Sequence, residues 1–288
     1  MKRILITGKN SYIGTSFANF LASDSNYLID FVETKSDEWK KIDFGQYDSI
    51  FDVAGIAHNS SNKKLKKLYY DVNTHLTIAL ATKAKKDGCP HFIYMSSMIV
   101  FGQSAKIGKN KIIQQGDLPK PSNFYGDSKY QAELGLKELE DQNFHVAIVR
   151  PPMVYGKNSK GNYPTLSKFA RKFFIFPKIN NCRSMIYIEN LCNFIKLLID
   201  NQDYGFFHPQ NEEYINTSNL VKEISKVHQH KMHLTIIFNP LIYFCSLFIG
   251  LINKVFGNLS YSKEISSYKE DYCIVDFETS IKRTEEKL

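Results

Sequence analysis

The sequence predicts an α/β protein built on a doubly wound parallel sheet, with a smaller C-terminal substrate-binding lobe. Three observations carry this. Apolar runs of four to six residues recur between stretches of helical length, Ile4–Ile6 and Ala147–Val149 are near-continuously hydrophobic rather than alternating, and the first run leads straight into a glycine turn. Strands alternating with helices at this spacing form parallel βαβ units. Strands apolar on both faces belong in a sheet covered on both sides.

The elements follow in order. Residues 3–6 are a strand ended by Thr7-Gly8, and Tyr12 to Leu21 carry helical periodicity. Tyr27–Val32 and Ser49–Val53 are further strands. Leu68–Lys86 reads as one long helix ending near Gly88, and His91–Met95 as a strand. Ser122–Glu140 is helix and His145–Val149 strand. After Pro151-Pro152 the pattern changes: residues 156–183, rich in Lys, Asn, Gly and Pro, read as loops over a substrate. Met185–Ile188 and Leu191–Leu198 return to strand and helix, and Phe206-Phe207 to a short strand. The expected division is 1–156 with 184–211 for the sheet domain, and 157–183 with 212–288 for a discontinuous lobe.

The 288 residues are 43% hydrophobic, enough for a large core. A net charge of +8 raises the question of nucleic acid. The lysines are scattered apart from short clusters at 63–67 and 83–86, with no aromatic platform for bases, so no nucleic-acid partner is expected. A basic surface that attracts anionic nucleotides is the more economical account. The five cysteines are odd in number and widely spaced, without a C-x-x-C or Cys/His ligand pattern. Neither a disulfide framework nor a metal site is expected, and the thiols fit a reducing, cytoplasmic compartment. His228 and His230 lie in a polar stretch and read as solvent-facing. The N-terminal apolar run is too short for a signal peptide.

Leu234 to Asn253 holds no charge, long enough for a membrane span, but Asn239-Pro240 interrupts it. Leu234–Phe238 reads as a strand, after which Pro240 opens a helix too short to span. That helix, within 240–256, is expected to be buried or at an interface, with peripheral membrane contact as the alternative.

Two constellations carry chemistry. In Thr7-Gly8-Lys9-Asn10-Ser11-Tyr12-Ile13-Gly14, Gly8 can take the positive φ of a tight turn and Gly14 lets the helix pack closely on the sheet. The helix N-terminus then offers free N–H groups to a pyrophosphate. Ser11 stands where such fingerprints have their middle glycine. Glu33, 19 residues beyond Gly14, is placed either to meet an adenosine ribose and repel a 2′-phosphate or as an ordinary strand-end acid. Asp30 is a rival for the role, although its mid-strand position suggests burial. In the second constellation Tyr125 and Lys129 share a helix face at i and i+4. A nearby ammonium lowers a phenol's pKa and makes it a usable base. Bare Y-x-x-x-K pairs are mostly surface features, and this one gains weight from following the strand that ends Met95-Ser96-Ser97.

Taken in order, TGKNSYIG, DVAGIAH, MSSMIVFG, YGDSK, RPPMVYG and RSMIYIENL resemble the extended short-chain dehydrogenase/reductases, specifically the NAD-dependent epimerase/dehydratase family, from residue 1 to about 215. The resemblance implies a Rossmann domain, NAD as cofactor, a nucleotide-diphosphate sugar as substrate, and a homodimer. By it, Tyr125 is the general base, Lys129 grips the nicotinamide ribose, and Ser97 holds the reacting sugar oxygen. Gly8, Ser11, Tyr12, Ile13 and Gly14 would carry the cofactor's diphosphate, Ala54, Gly55 and Pro151 would border the cofactor, and Asp43 would contact adenine. Asn73 is the family's helix asparagine, structural or catalytic. Arg183 would clamp the substrate diphosphate, with Met153, Asn162 and Lys178 as further substrate contacts. Ser184 replaces the usual aspartate, and Phe101 stands in a Val-Tyr-Gly tag.

Dehydration or decarboxylation needs an acid–base group just after the active-site serine. Met98 and Ile99 stand there and cannot move a proton. The expectation is NAD-dependent C4 epimerisation through a transient 4-keto sugar, with a UDP-N-acetylhexosamine as substrate. A 4-keto-6-deoxy-sugar reductase and a non-catalytic dinucleotide-binding protein are the alternatives.

Overall fold

The computed structural model describes residues 1–57, 60 and 62–286. Contacts divide the chain into two compact units: residues 1–102, 118–151 and 192–209, and residues 103–117, 152–191 and 210–288.

The first unit holds β1 (Lys2–Thr7), α1 (Tyr12–Leu21), β2 (Tyr27–Val32), β3 (Ser49–Asp52), α2 (Lys66–Tyr70), α3 (Thr77–Asp87), β4 (His91–Met95), α4 (Phe124–Leu139), β5 (His145–Val149), most of α5 (Ile188–Asn201) and β6 (Gly205–Phe207). The six strands pair in the order β6-β5-β4-β3-β1-β2, every pair parallel. The chain leaves β1 for β2 on one side and returns to β3 on the other. This reversal opens a crevice at the carboxyl ends of β1 and β3, where ligands bind in open α/β sheets. One side of the sheet is closed by α3 and α4, whose Leu80, Ala81, Ala84, Ala132 and Leu136 pack with Leu5, Ile50, Phe92, Val146 and Ile148. Full burial of an aliphatic side chain of this kind contributes about 1.5–3 kcal/mol.

The helix expected over 68–86 is not continuous. A π-turn at Asp71–Leu76 separates α2 from α3. It brings buried Asn73 and Thr74 onto α4, where Thr74 donates to the Ser128 carbonyl at 2.6 Å. An apolar period cannot reveal a turn fixed by polar partners distant in sequence.

In the second unit, residues 156–183 are not all loop. They hold a helix, Asn162–Lys172, and a strand, Ile175–Pro177. Tyr163, Leu166 and Ala170 are the helix's buried stripe, and Pro164 is tolerated because it lies in the first turn. A further helix, Thr217–Val227, packs on it, and Phe277–Glu285 packs on Thr217–Val227 in turn. Short parallel pairs join Met153–Tyr155 to Met185–Tyr187, Ile112–Ile113 to Ser260–Tyr261, and Ile175–Pro177 to His233–Thr235. The first two pairings draw residues 184–191 and 103–117 into this unit, where the sequence pattern had placed both with the sheet. The strand expected over 234–238 forms only at His233–Thr235, and Ile236, Ile237 and Phe238 are exposed. The helix opened by Pro240 is present as Asn239–Ser246, followed by a second at Gly250–Phe256. Neither is buried as a helix, since Leu241, Phe244 and Leu251 face solvent, as do Leu247 and Phe248 between the two helices.

All five cysteines are free thiols. Among the described residues no cluster of His, Cys, Asp and Glu could hold a metal ion. His228 meets Glu285 at 2.7 Å and His230 the Phe173 carbonyl at 2.8 Å, so both rings have local partners rather than facing solvent alone.

Candidate functional site

The glycine turn is built as a cradle. Gly8 has φ +75°, and a Cβ on it would lie 2.9 Å from the Ala54 Cα. A Cβ on Gly14 would meet Ile6 and Val53 side chains at 2.9 Å. Both are close approaches only glycine permits. Ser11 caps α1, its Oγ accepting from the Gly14 N–H at 3.0 Å. The serine that replaces the middle glycine therefore organises the helix N-terminus from which a phosphate would be bound. Ile13 is half-buried in the first turn, and Tyr12 keeps its hydroxyl buried without a hydrogen-bond partner among the described residues. The turn thus fits a dinucleotide's diphosphate.

Glu33 follows β2 directly, its Oε1 accepting from the Thr34 and Lys35 N–H groups at 2.9 and 3.1 Å. The carboxylate is thereby fixed at the carboxyl end of the strand. Its rival Asp30 is half-exposed rather than buried, and it is occupied by the Arg3 guanidinium at 2.9 Å. Asp43 is exposed and caps a short 3₁₀ turn through the Gly45 N–H. His58, which ends the DVAGIAH motif, lies outside the described residues.

The second constellation sits on the same sheet edge. Ser97 follows β4 and caps the 3₁₀ turn Met98–Phe101. The Pro151 carbonyl, just past β5, accepts from the Met98 N–H at 2.9 Å and braces that turn. Asn123 caps α4, placing Tyr125 in its first turn and Lys129 one turn on. A Cβ on Gly126 would lie 2.8 Å from the Ile99 carbonyl oxygen, so glycine here seats α4 against the segment that carries Ser97.

Burial pushes the Tyr125 phenol up to about 12, and the Ser97 hydroxyl pulls the other way. The expected lowering by Lys129 is not what this geometry gives. The Lys129 Nζ donates to the Met95 carbonyl at 2.8 Å and lies over the Tyr94 ring. Burial brings its ammonium down from 10.5 to about 8, opposed by the charges of Asp52 and Glu133.

Those two acids were missed in the sequence. Asp52 ends β3, fully buried, and accepts from Thr7, from Thr77 at 3.0 Å and from the Ala54 N–H at 3.1 Å. Burial raises its pKa. Glu133, one turn beyond Lys129, is held by Arg150 at 3.0 and 2.7 Å and by Ser96. An acid in an apolar strand and an acid one helical turn past a lysine are too common to single out without their partners. Asn73 proves to be a brace. Its amide exchanges hydrogen bonds with the Ile56 N–H and carbonyl and donates to Ser128, tying the Ala54-Gly55 loop to α4. Phe101, the departure from the Val-Tyr-Gly tag, packs against the Arg150 guanidinium at 5.0 Å.

In the second unit Arg183 is half-buried, its backbone bridged to Ile215 and Leu259. Its Nη1 donates to the Gly257 carbonyl at 2.7 Å and to Ser104 at 3.2 Å. Burial lowers the guanidinium to about 10, leaving a cation at neutral pH. Among the described residues no carboxylate pairs with it. Ser184 is a buried hub, its hydroxyl bonded to Gln210 and accepting from the Tyr261 N–H at 2.8 Å. An aspartate there would need its charge balanced in the interior, whereas a serine needs only these hydrogen bonds. Met153 is half-buried opposite Met185, and Asn162 is exposed at the start of its helix. Lys178 lines an open groove of about 770 Å³ whose wall does not include Arg183.

A glycine cradle and a Ser–Tyr–Lys set on one carboxyl edge of a parallel sheet are the layout of a short-chain dehydrogenase/reductase, a class of dinucleotide-dependent enzyme. The chain belongs to the NAD dependent epimerase/dehydratase family, which it matches over residues 4–208, and NAD is its cofactor. It is 28% identical over 248 residues to the UDP-glucose 4-epimerase of Vibrio cholerae, covering 78% of this chain and 75% of that one. It is 30% identical over 201 residues to the N-acetyl-α-D-glucosaminyl-diphospho-ditrans,octacis-undecaprenol 4-epimerase of Escherichia coli O157:H7, covering 66% of this chain and 58% of that one. The fold is shared with the UDP-glucuronic acid 4-epimerase of Bacillus cereus, at a TM-score of 0.73 and 15% identity over 98% of this chain and 96% of that one. It is also shared with the dTDP-4-dehydrorhamnose reductase of Yersinia enterocolitica, at a TM-score of 0.73 and 19% identity over 99% and 98%.

Proposed function

We propose that this enzyme epimerises a nucleotide-diphosphate sugar at C4, with a UDP-N-acetylhexosamine as the substrate. The observation that carries the choice of reaction is the turn after Ser97. Met98 is buried and Ile99 half-buried, and neither can supply the acid or base that eliminating water requires. Epimerisation needs no such group. NAD, when bound, supplies a hydride acceptor that can return the hydride. Tyr125 removes the proton of the sugar hydroxyl, Ser97 holds the same oxygen, and Tyr125 gives the proton back once the 4-keto sugar has turned its other face. Lys129 anchors the ribose of the cofactor. Gly8, Ser11 and Gly14 seat its diphosphate, and Glu33 meets the ribose hydroxyls.

Arg183 supports a diphosphate-bearing substrate, because a guanidinium with no carboxylate partner among the described residues keeps its charge for such a group. The two curated relatives are named as 4-epimerases, which supports the position of reaction. One of those names contains an N-acetylglucosaminyl diphosphate, which supports the acetamido sugar. Met153 supports it too, since a thioether suits an N-acetyl methyl better than a hydroxyl.

The test is NMR of the products after incubation with UDP-GlcNAc and, separately, UDP-glucose, with no NADPH added. UDP-GalNAc formed at the higher kcat/KM is the expected result. No epimer from either sugar, together with NADPH-dependent consumption of a 4-keto-6-deoxy sugar nucleotide, would make the enzyme a reductase.

A further inference from the structure

We propose that the second unit carries a membrane-docking face, built from residues 236–251 and a neighbouring basic groove, that seats the enzyme on a bilayer containing anionic lipids. Ten large apolar side chains in this stretch are exposed, among them Ile237 at 78%, Phe248 at 76%, Leu251 at 64%, Leu241 at 63% and Phe244 at 62%. Scattered exposed apolar residues are ordinary on a protein surface. A continuous run of this kind marks a surface that meets something apolar.

The run is held in place rather than frayed. The Asn239 amide donates to the Lys178 carbonyl at 2.8 Å, fixing the start of the first helix. The Asn253 amide donates to the Ser246 carbonyl at 2.7 Å and its oxygen accepts from the Ile107 N–H at 3.1 Å, clamping the second helix to the first. Phe256 packs on Phe176 at 5.6 Å and ends the hairpin in the interior. Polar side chains thus satisfy the inner backbone while the apolar ones point outward. No described helix is long and apolar enough to cross a membrane, so such a face would lie in the interface.

Charge identifies the occupant. The strand His233–Thr235 leads directly into the apolar run and borders the groove of about 770 Å³. Lys178, Lys222, Lys226 and Lys231 line that groove with His230 and His233, and no carboxylate lies in its wall. Lys226 has a partner nearby in Glu223, at 3.3 Å. The segment from Leu234 to Asn253 has no charge at all, and Lys254 follows it. An apolar strip adjoining a lysine-lined groove matches a bilayer surface, whose acyl region takes the strip while anionic headgroups take the lysines. A second copy of the chain could cover the strip through a self-complementary contact, which the test below distinguishes by the oligomeric state.

The test is co-sedimentation of the 288-residue chain with vesicles of phosphatidylcholine containing 30% phosphatidylglycerol, or of phosphatidylcholine alone. Binding to the anionic vesicles is expected, weaker by about tenfold or more on neutral vesicles or at high salt. Phe244→Ser/Phe248→Ser should abolish it, and Lys222→Gln/Lys231→Gln should weaken it, with NAD binding and Tm of both variants reporting that they fold. A wild-type chain that stays in the supernatant with both vesicles would overturn the proposal. So would a dimer in sedimentation equilibrium that the phenylalanine substitutions dissociate while vesicle binding is absent. Equal binding to the two vesicle types would refute the anionic requirement.

Discussion

At the scale of single residues, the proposed chemistry rests on the Tyr125 phenol, which burial holds protonated. Tyr125→Phe removes the proposed base and should reduce kcat by at least ~100-fold, the low end of general-base contributions, while NAD binding measured by titration survives. Ser97 lowers the Tyr125 pKa, so its loss has a defined sign. In Ser97→Ala the phenol's pKa rises, less tyrosinate is present at any given pH, and the acid limb of the kcat/KM profile moves to higher pH. An unmoved limb would show that Ser97 does not act on Tyr125. Glu33 invites a similar separation of roles. Glu33→Gln keeps an oxygen for the Thr34 and Lys35 N–H groups but loses the charge proposed to repel a 2′-phosphate. The ratio of NADP to NAD dissociation constants should fall toward one without a loss of stability. Tighter NADP binding by the unsubstituted enzyme would remove Glu33 from the role.

At the scale of elements, the site is a matter of how α4 is seated. Tyr125 and Ser97 come from different segments, and the close approach of Gly126 to the Ile99 carbonyl sets their relation. Gly126→Ala should push α4 outward by a few tenths of an ångström. Overpacking of this kind costs about 1–3 kcal/mol. The expected result is a folded protein with a lower Tm and a kcat reduced more than NAD affinity, because the glycine turn after β1 is untouched. Unchanged kcat would show that the helix accommodates the methyl without moving Tyr125. The π-turn belongs to the same assembly, since it aims Asn73 at both the Ala54-Gly55 loop and α4.

At the scale of the whole molecule, stability against acid is tied to a histidine far from the chemistry. His91 begins β4, fully buried, with Nε2 facing the Asp203 carbonyl and Nδ1 facing the Ser49 hydroxyl, both at 3.0 Å. A carbonyl can only accept, so the proton sits on Nε2 and Nδ1 accepts from Ser49. Burial brings its pKa from 6.5 down to about 4. Between those values the unfolded chain binds the proton and the folded one does not. Stability therefore falls as pH drops through this window, by up to roughly 3 kcal/mol. Urea unfolding at pH 7.0 and 4.5 measures it, and His91→Asn should flatten the slope. An equally steep slope in that variant would assign the loss to other groups.

The sequence by itself determined the alternation of strand and helix through the parallel sheet, and it marked most of the residues proposed here for the chemistry. Gly8, Gly14, Ser97, Tyr125 and Lys129 stand at positions set by local rules: a turn that requires glycine, a helix start, an i, i+4 spacing. Such rules act over a few residues and leave a mark that can be read along the chain. Only the tertiary structure decided what surrounds them. Lys129 is acted on by the charges of Asp52 and Glu133, and its ammonium turns to the Met95 carbonyl rather than standing as the charge that lowers Tyr125. Asn73 braces a loop, and the apolar residues after Asn239 face outward. Each of these depends on burial and on partners tens of residues away, and desolvation is a property of the packed interior that no spacing along the chain encodes.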